Sequence, residues 1–165
     1  MEKCKGVFFS IVFLIYSPAI NGDFVWDDDL HLTDNKQLKS LEGLKNIWLT
    51  PGATFQYFPL TFTSFWIEKR LWGENPMGYH ITNLLLHTSS ALLLWRILIM
   101  LSIPGAFLAA LIFLIHPVNV ESVAWITERK NTLSGLFYFG SLIFYLRFLK
   151  LENPLALKKK KVLQK

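Results

Sequence analysis

A single cysteine, Cys4, leaves no partner for an internal disulfide, so no redox argument follows from it. Charge is scarce too: 18% of residues are charged, against about 25% in an ordinary soluble domain. No helical repeat of the solenoid type is found, and no pair of inverted segments of the transporter type. Hydrophobic residues instead supply 52% of the 165, aromatics 15%, and mean hydropathy is +0.34. One domain of this size cannot hide that much apolar surface from water. The balance disfavours a soluble enzyme, a disordered tail and a disulfide scaffold, and it points to an integral membrane protein.

Four apolar stretches carry that reading: Gly6 to Ile20, Tyr79 to Met100, Ile103 to Val118 and Leu133 to Leu149. A bilayer core of about 30 Å takes roughly 20 apolar residues, so the second is comfortable and the first and third are short. The first stretch has two readings. It is a retained span, or it is a cleavable signal peptide with Lys3 and Lys5 ahead of it and Ser17-Pro18-Ala19 as the small-residue site. The expected fold is all-α: a polytopic membrane domain over 1–149 with about four transmembrane helices, then a basic cytoplasmic tail over 150–165.

Charge distribution orients the spans. With the N-terminus, the turn between spans two and three and the C-terminus on one side, that side holds ten bases and two acids. The opposite side holds seven bases and ten acids. Bases favour the cytoplasmic face, so the net charge of +5 reads as membrane topology rather than nucleic-acid binding. The tail, Lys158 to Lys161, then reads as an anchor on anionic lipid. Two outer loops follow, about Asn21 to Gly78 and about His116 to Asn131.

The large loop opens with Asp23-Phe24-Val25-Trp26-Asp27-Asp28-Asp29, in which two interfacial aromatics, Phe24 and Trp26, lead into three aspartates. Three adjacent carboxylates repel one another unless solvent, a base or a cation relieves them. They are a solvated loop start, or else a general base or divalent-cation ligand at the membrane surface. Two amphipathic helices follow, Leu41 to Leu49 and Tyr57 to Trp72, the second read as lying along the membrane surface. His80, Asn83, His87 and Ser90 share one face of the second span, where hydrogen bonding between helices is the commoner role and a proton relay or metal site the alternative. In the small loop a helix capped by Asn119 places Glu121, Trp125 and Glu128 on one face beside Arg129. That face is either an interfacial helix with an internal acid–base pair, or an acid and a platform beside cations that suit phosphate.

Taken together, Phe24-Val25-Trp26-Asp27-Asp28-Asp29, Tyr57-Phe58-Pro59-Leu60, Asn75-Pro76-Met77-Gly78-Tyr79-His80, His116-Pro117-Val118 and Arg129-Lys130-Asn131 resemble, in order and spacing, a known family. It is the amino-terminal membrane part of the transmembrane, tetratricopeptide-repeat-containing glycosyltransferases, a group of bacterial repeat proteins and protein O-mannosyltransferases. The resemblance runs from about Gly6 to Leu149. It implies the C-type glycosyltransferase fold, a polyprenyl-phosphate sugar donor and a protein acceptor. It also implies residence in a bacterial inner membrane or the endoplasmic reticulum. It matches Asp27 and Asp28 to the family's catalytic acidic position, Glu121 more loosely to a second acid, and Arg129 and Lys130 to donor-phosphate contacts. Family members continue into further spans and helical repeats of about 34 residues. A chain of four spans is therefore expected to be an incomplete transferase, and a non-catalytic subunit binding a multi-pass partner is the alternative.

Overall fold

The computed structural model describes residues 2–149, and every regular element among them is helical. The expected basic tail lies outside the described residues. The apolar start forms α1 (Glu2–Ile15), and Pro18 sits in the first turn of a one-turn continuation, α2 (Ser17–Ile20). Short turns at Asp29–Thr33 and Lys36–Lys39 lead to α3 (Leu41–Leu49). The Ser40 hydroxyl caps α3 by accepting from the Gly43 amide at 2.9 Å. α4 (Pro59–Trp72) starts on a proline and ends at Gly73, whose φ of 62° only glycine adopts without strain. Asn75 caps α5 (Pro76–Met100) through a 3.1 Å bond from the Met77 amide, with Pro76 as its first residue. After a turn at Pro104-Gly105 come α6 (Ala106–Ile115), α7 (Val120–Ala124) and α8 (Arg129–Phe148).

The longest helix, α5, is the axis of the molecule. On one side it meets α1 and α6: Phe8, Val12, Leu84, Trp95, Ala110 and Leu114 form one buried cluster, with Phe8 stacked on Trp95 at 5.7 Å between ring centres. On another side Ile97 and Met100 pack with Ile143 and Leu146 of α8. A second, separate core lies under the long connection between α2 and α5. It joins Leu32, Leu38, Ile47, Phe62, Phe65, Tyr79 and Ile126. α3 and α4 are stitched there by aromatic donors: Trp48 Nε1 donates to Thr63 Oγ1 at 3.0 Å, and Trp66 Nε1 to the Ser40 carbonyl at 2.7 Å.

Of the four expected spans, length and apolarity single out one, α5. The Ala106–Ile115 and Pro117–Ala124 segments meet the same test only as a pair, bent by 47°. The helix in the third apolar run is shorter than the run, because Pro104-Gly105 and Pro117 confine it. α1 supplies a shorter apolar helix, Gly6–Ile15. α8, at 20 residues, has the length, about 30 Å by helical rise, but Asn131, Thr132, Ser134 and Arg147 dilute its apolarity. Large apolar side chains stay exposed around the bundle, among them Leu14, Leu108, Phe144 and Phe148.

Gly43 marks the tightest backbone approach: a Cβ there would fall 2.1 Å from the Gln37 carbonyl oxygen. Backbone cannot yield as a flexible side chain can. Gly43→Val is expected to lower stability by at least about 1–3 kcal/mol. Gly140→Ala, with open space around it, should hold or raise the thermal midpoint of the purified chain.

Candidate active site

The segment after α2 turns sharply. Trp26 takes a φ of 51°, unusual for a residue with a side chain, and this lets the Asp28 carboxylate curl back onto its own loop. Asp28 is fully buried. Its Oδ2 accepts from the Val25 amide at 2.9 Å, and its Oδ1 from the Thr127 amide at 3.1 Å, 99 residues away in sequence. Burial pushes its pKa above the usual carboxylate range, although these hydrogen bonds pull the other way. Asp28 is thus spent on joining the two connections.

Asp27 is different. Its side chain is 38% exposed, its Oδ1 accepts from the Thr127 hydroxyl at 3.0 Å, and its Oδ2 lies 3.3 Å from His31 Nε2. One carboxylate oxygen is therefore aimed by a hydroxyl and the other by an imidazole. His31 is buried and stacked on Phe62, with ring centres 5.5 Å apart and planes 10° from parallel. Burial lowers its pKa below 6.5, against the pull of Asp27. Asp29 faces away and accepts from the Thr33 hydroxyl at 3.1 Å. Among the described residues no three His, Cys, Asp or Glu side chains gather as a metal site.

The short connection is not one helix. α7 stops at Ala124, Trp125 is extended, and a tight turn spans Ile126–Glu128. Its backbone is drawn elsewhere: Asn83 Nδ2 donates to the carbonyls of Trp125 (3.1 Å) and Ile126 (3.4 Å), and Asp28 takes the Thr127 amide. Glu121, Trp125 and Glu128 therefore do not share the continuous helical face expected from spacing. Glu121 is exposed and its side chain makes no hydrogen bond or ion pair within the described residues. Trp125 meets Trp26 edge-to-face at 4.6 Å.

Arg129 lies inside, with no exposure. Its Nε donates to Asn83 Oδ1 and its Nη2 to the Tyr79 carbonyl, both at 2.8 Å. Its Nη1 pairs with Glu68 Oε2, and its guanidinium sits 4.7 Å over the Phe65 ring. The sequence placed this cation at a phosphate; the structure places it among α4, α5 and α8, with its donors used on protein. Lys130, the next residue, points outward. It pairs with Glu128 and stands 6.0 Å from the Phe58 ring at the head of a groove of about 550 Å³. Tyr57, Phe58 and Leu60 form one wall and Leu133 and Phe137 the other.

Sequence reading missed Glu68, Thr127 and His31. Glu68 had a signal: Thr61, Phe65 and Glu68 fall at i, i+4 and i+7, so a carboxylate closes the buried face of α4. Thr127 had none, because its role depends on a contact with residues 100 positions earlier.

Arg129→Ala is expected to destabilise the chain by about 3–5 kcal/mol, since it strands a buried Glu68 carboxylate. Arg129→Ala with Glu68→Leu should recover part of that loss in thermal unfolding. His31 supplies a pH dependence. Its folded pKa lies below the unfolded value, so its contribution is intact above pH 6.5 and is lost as pH falls through the lowered pKa. Melting curves from pH 7.5 to 5 should show the wild type losing stability on acidification, and His31→Phe should flatten that slope.

No family model matches the chain, and no solved structure matches it. Curated relatives do. The chain is 29% identical over 174 residues to human protein O-mannosyl-transferase TMTC4, an alignment covering 90% of this chain and 24% of the relative. It is 31% identical to the mouse protein O-mannosyl-transferase TMTC2 over 81% of this chain and 17% of that protein. It is 32% identical to Drosophila melanogaster protein O-mannosyl-transferase Tmtc3 over 79% of this chain and 17% of that protein. The chain thus spans less than a quarter of the length of these relatives. Its homologues are protein O-mannosyl-transferases of the TMTC family, in agreement with the glycosyltransferase resemblance of the sequence.

Proposed function

We propose that this chain forms the donor-facing part of a multi-pass membrane glycosyltransferase that moves a sugar from a polyprenyl phosphate to a protein hydroxyl. In this reading α1–α2, α5, α6 and α8 cross the bilayer, and the long connection after α2 and the short one after α6 lie together on its non-cytoplasmic side. That the relatives are protein O-mannosyl-transferases supports the reaction class. The observation that carries the reading is Asp27: a half-exposed carboxylate aimed by Thr127 and by His31, whose ring feels the charge of the Lys130 that heads the groove.

The chemistry follows from those positions. The acceptor hydroxyl gives its proton to Asp27, and its oxygen attacks the anomeric carbon of the donor. The bond from that carbon to the phosphate oxygen breaks, and the polyprenyl phosphate leaves with the electron pair. Lys130 meets the phosphate by charge, with the first isoprene units along Phe58, Leu60 and Phe137. Asp28 and Arg129 act through others: the first locks the two connections together, the second fixes the start of α8 from which Lys130 projects. Glu121, exposed on α7, is the second acid that the resemblance offers to the site.

A general base contributes about 10²–10⁴ in rate. Asp27→Asn in the membrane-embedded transferase should therefore cut sugar transfer at least a hundredfold while capture of polyprenyl phosphate persists. Lys130→Gln should weaken that capture. Transfer at the wild-type rate by Asp27→Asn overturns the assignment, and lipid capture indifferent to Lys130→Gln overturns the donor site.

A further inference from the structure

A second cavity, half-open and about 200 Å³, lies among α5, α6, α7 and α8 and shares Asn131 with the groove. At roughly 30 Å³ per water it has room for about six. Its wall is mostly apolar, but α5, α7 and α8 each set polar side chains into it, where the middle of a helical bundle is ordinarily packed. We propose that this chamber binds a neutral polyhydroxyl ring, a monosaccharide unit, and that it is the subsite for the sugar carried by the lipid phosphate. The inference rests on the donor reading for its connection to Lys130, but its ligand chemistry is read from the chamber itself.

The lining decides the class of ligand. Asn119 spends its Nδ2 on the Phe113 carbonyl at 2.8 Å, which leaves Oδ1 as an acceptor. Ser90 and Thr132 donate their hydroxyl protons to the carbonyls of Leu86 and Arg129, both at 3.0 Å, and keep oxygen lone pairs. Ser122 accepts from Asn131 at 3.1 Å and keeps its O–H to give. Acceptors and a donor are thus mixed, with no Lys, Arg, Asp or Glu side chain among the lining residues; the one imidazole, His87, has its Nε2 on the Leu114 carbonyl at 3.0 Å. An anion would find no cation there and a metal ion no carboxylate, whereas sugar hydroxyls both donate and accept. Phe113 and Phe139 meet edge-to-face at 5.7 Å and give the chamber the apolar surface that the C–H face of a sugar ring covers.

Position agrees with chemistry. Asn131 lines both the chamber and the outer groove, and Lys130 is its neighbour in the groove wall. A phosphate on Lys130 would therefore present its sugar across Asn131 into the chamber, with its lipid tail running the other way.

The test uses the purified chain in a detergent without a sugar head group, with methyl mannoside, glycerol and sugar-free polyprenyl phosphate as probes. Saturation-transfer NMR should show methyl mannoside binding and little transfer to glycerol. Gly135→Leu, whose side chain would project toward Ser90 across 3.7 Å, should abolish the sugar signal. Thr132→Val, nearly isosteric, should weaken it severalfold and guards against a folding defect in the larger substitution. Polyprenyl phosphate capture should survive in both. Absence of transfer to methyl mannoside in the wild type, or transfer undiminished in both variants, overturns the chamber as a sugar site and assigns it to water. Sugar binding without polyprenyl phosphate capture overturns the donor reading and leaves the chamber standing; capture without sugar binding does the reverse.

Discussion

A guanidinium sealed inside a helical protein constrains everything around it, because a buried charge is tolerated only where its partners are fixed. Arg129 is such a group. Glu68 brings α4 to it, Asn83 and the Tyr79 carbonyl bring α5, and its own backbone begins α8. Asn83 then reaches past the arginine to the carbonyls of Trp125 and Ile126. The same network therefore sets the helix arrangement and the path of the short connection. Its components cannot shift singly without stranding a charge or an amide.

That fixed path explains how three consecutive aspartates come to differ. Thr127 is presented once, and its amide and hydroxyl are taken by different neighbours: the amide by Asp28, the hydroxyl by Asp27. Asp28 is buried in the exchange and Asp27 stays at the surface beside His31. Asp29, one residue on, has turned away to Thr33. Identical side chains thus acquire structural, exposed and local roles from the turn at Trp26 together with the fixed position of Thr127.

Much of this was legible in the chain. Pro59, Pro76, Gly73 and Asn75 mark the helix ends where they occur, and the polar face of α5 does bond between helices, through Asn83 and through His87 Nε2, 3.0 Å from the Leu114 carbonyl. The acidic run was recognised as the centre of interest. What spacing could not supply was the partner across the fold. Arg129 and Lys130 are adjacent and alike in charge, and nothing local says that one turns inward to Glu68 while the other turns out to Phe58. The small-loop helix failed for the same reason: its backbone groups had better partners on α5 and in the loop after α2 than on themselves.

The clamp between Asp27-Asp28 and Thr127 also has a bearing on the order in which the protein is made. It closes a loop of about 100 residues, and the pair between Glu68 and Arg129 spans 61. Chains emerge N-terminus first, so the long connection and α3–α5 are complete well before Thr127 and Arg129 leave the ribosome. Until then Glu68 has no cation and the aspartates have no hydroxyl to aim them. The candidate site consequently forms only once the start of α8 has been made, and any nascent chain stopped short of α8 carries the acids without the arrangement that gives them a purpose.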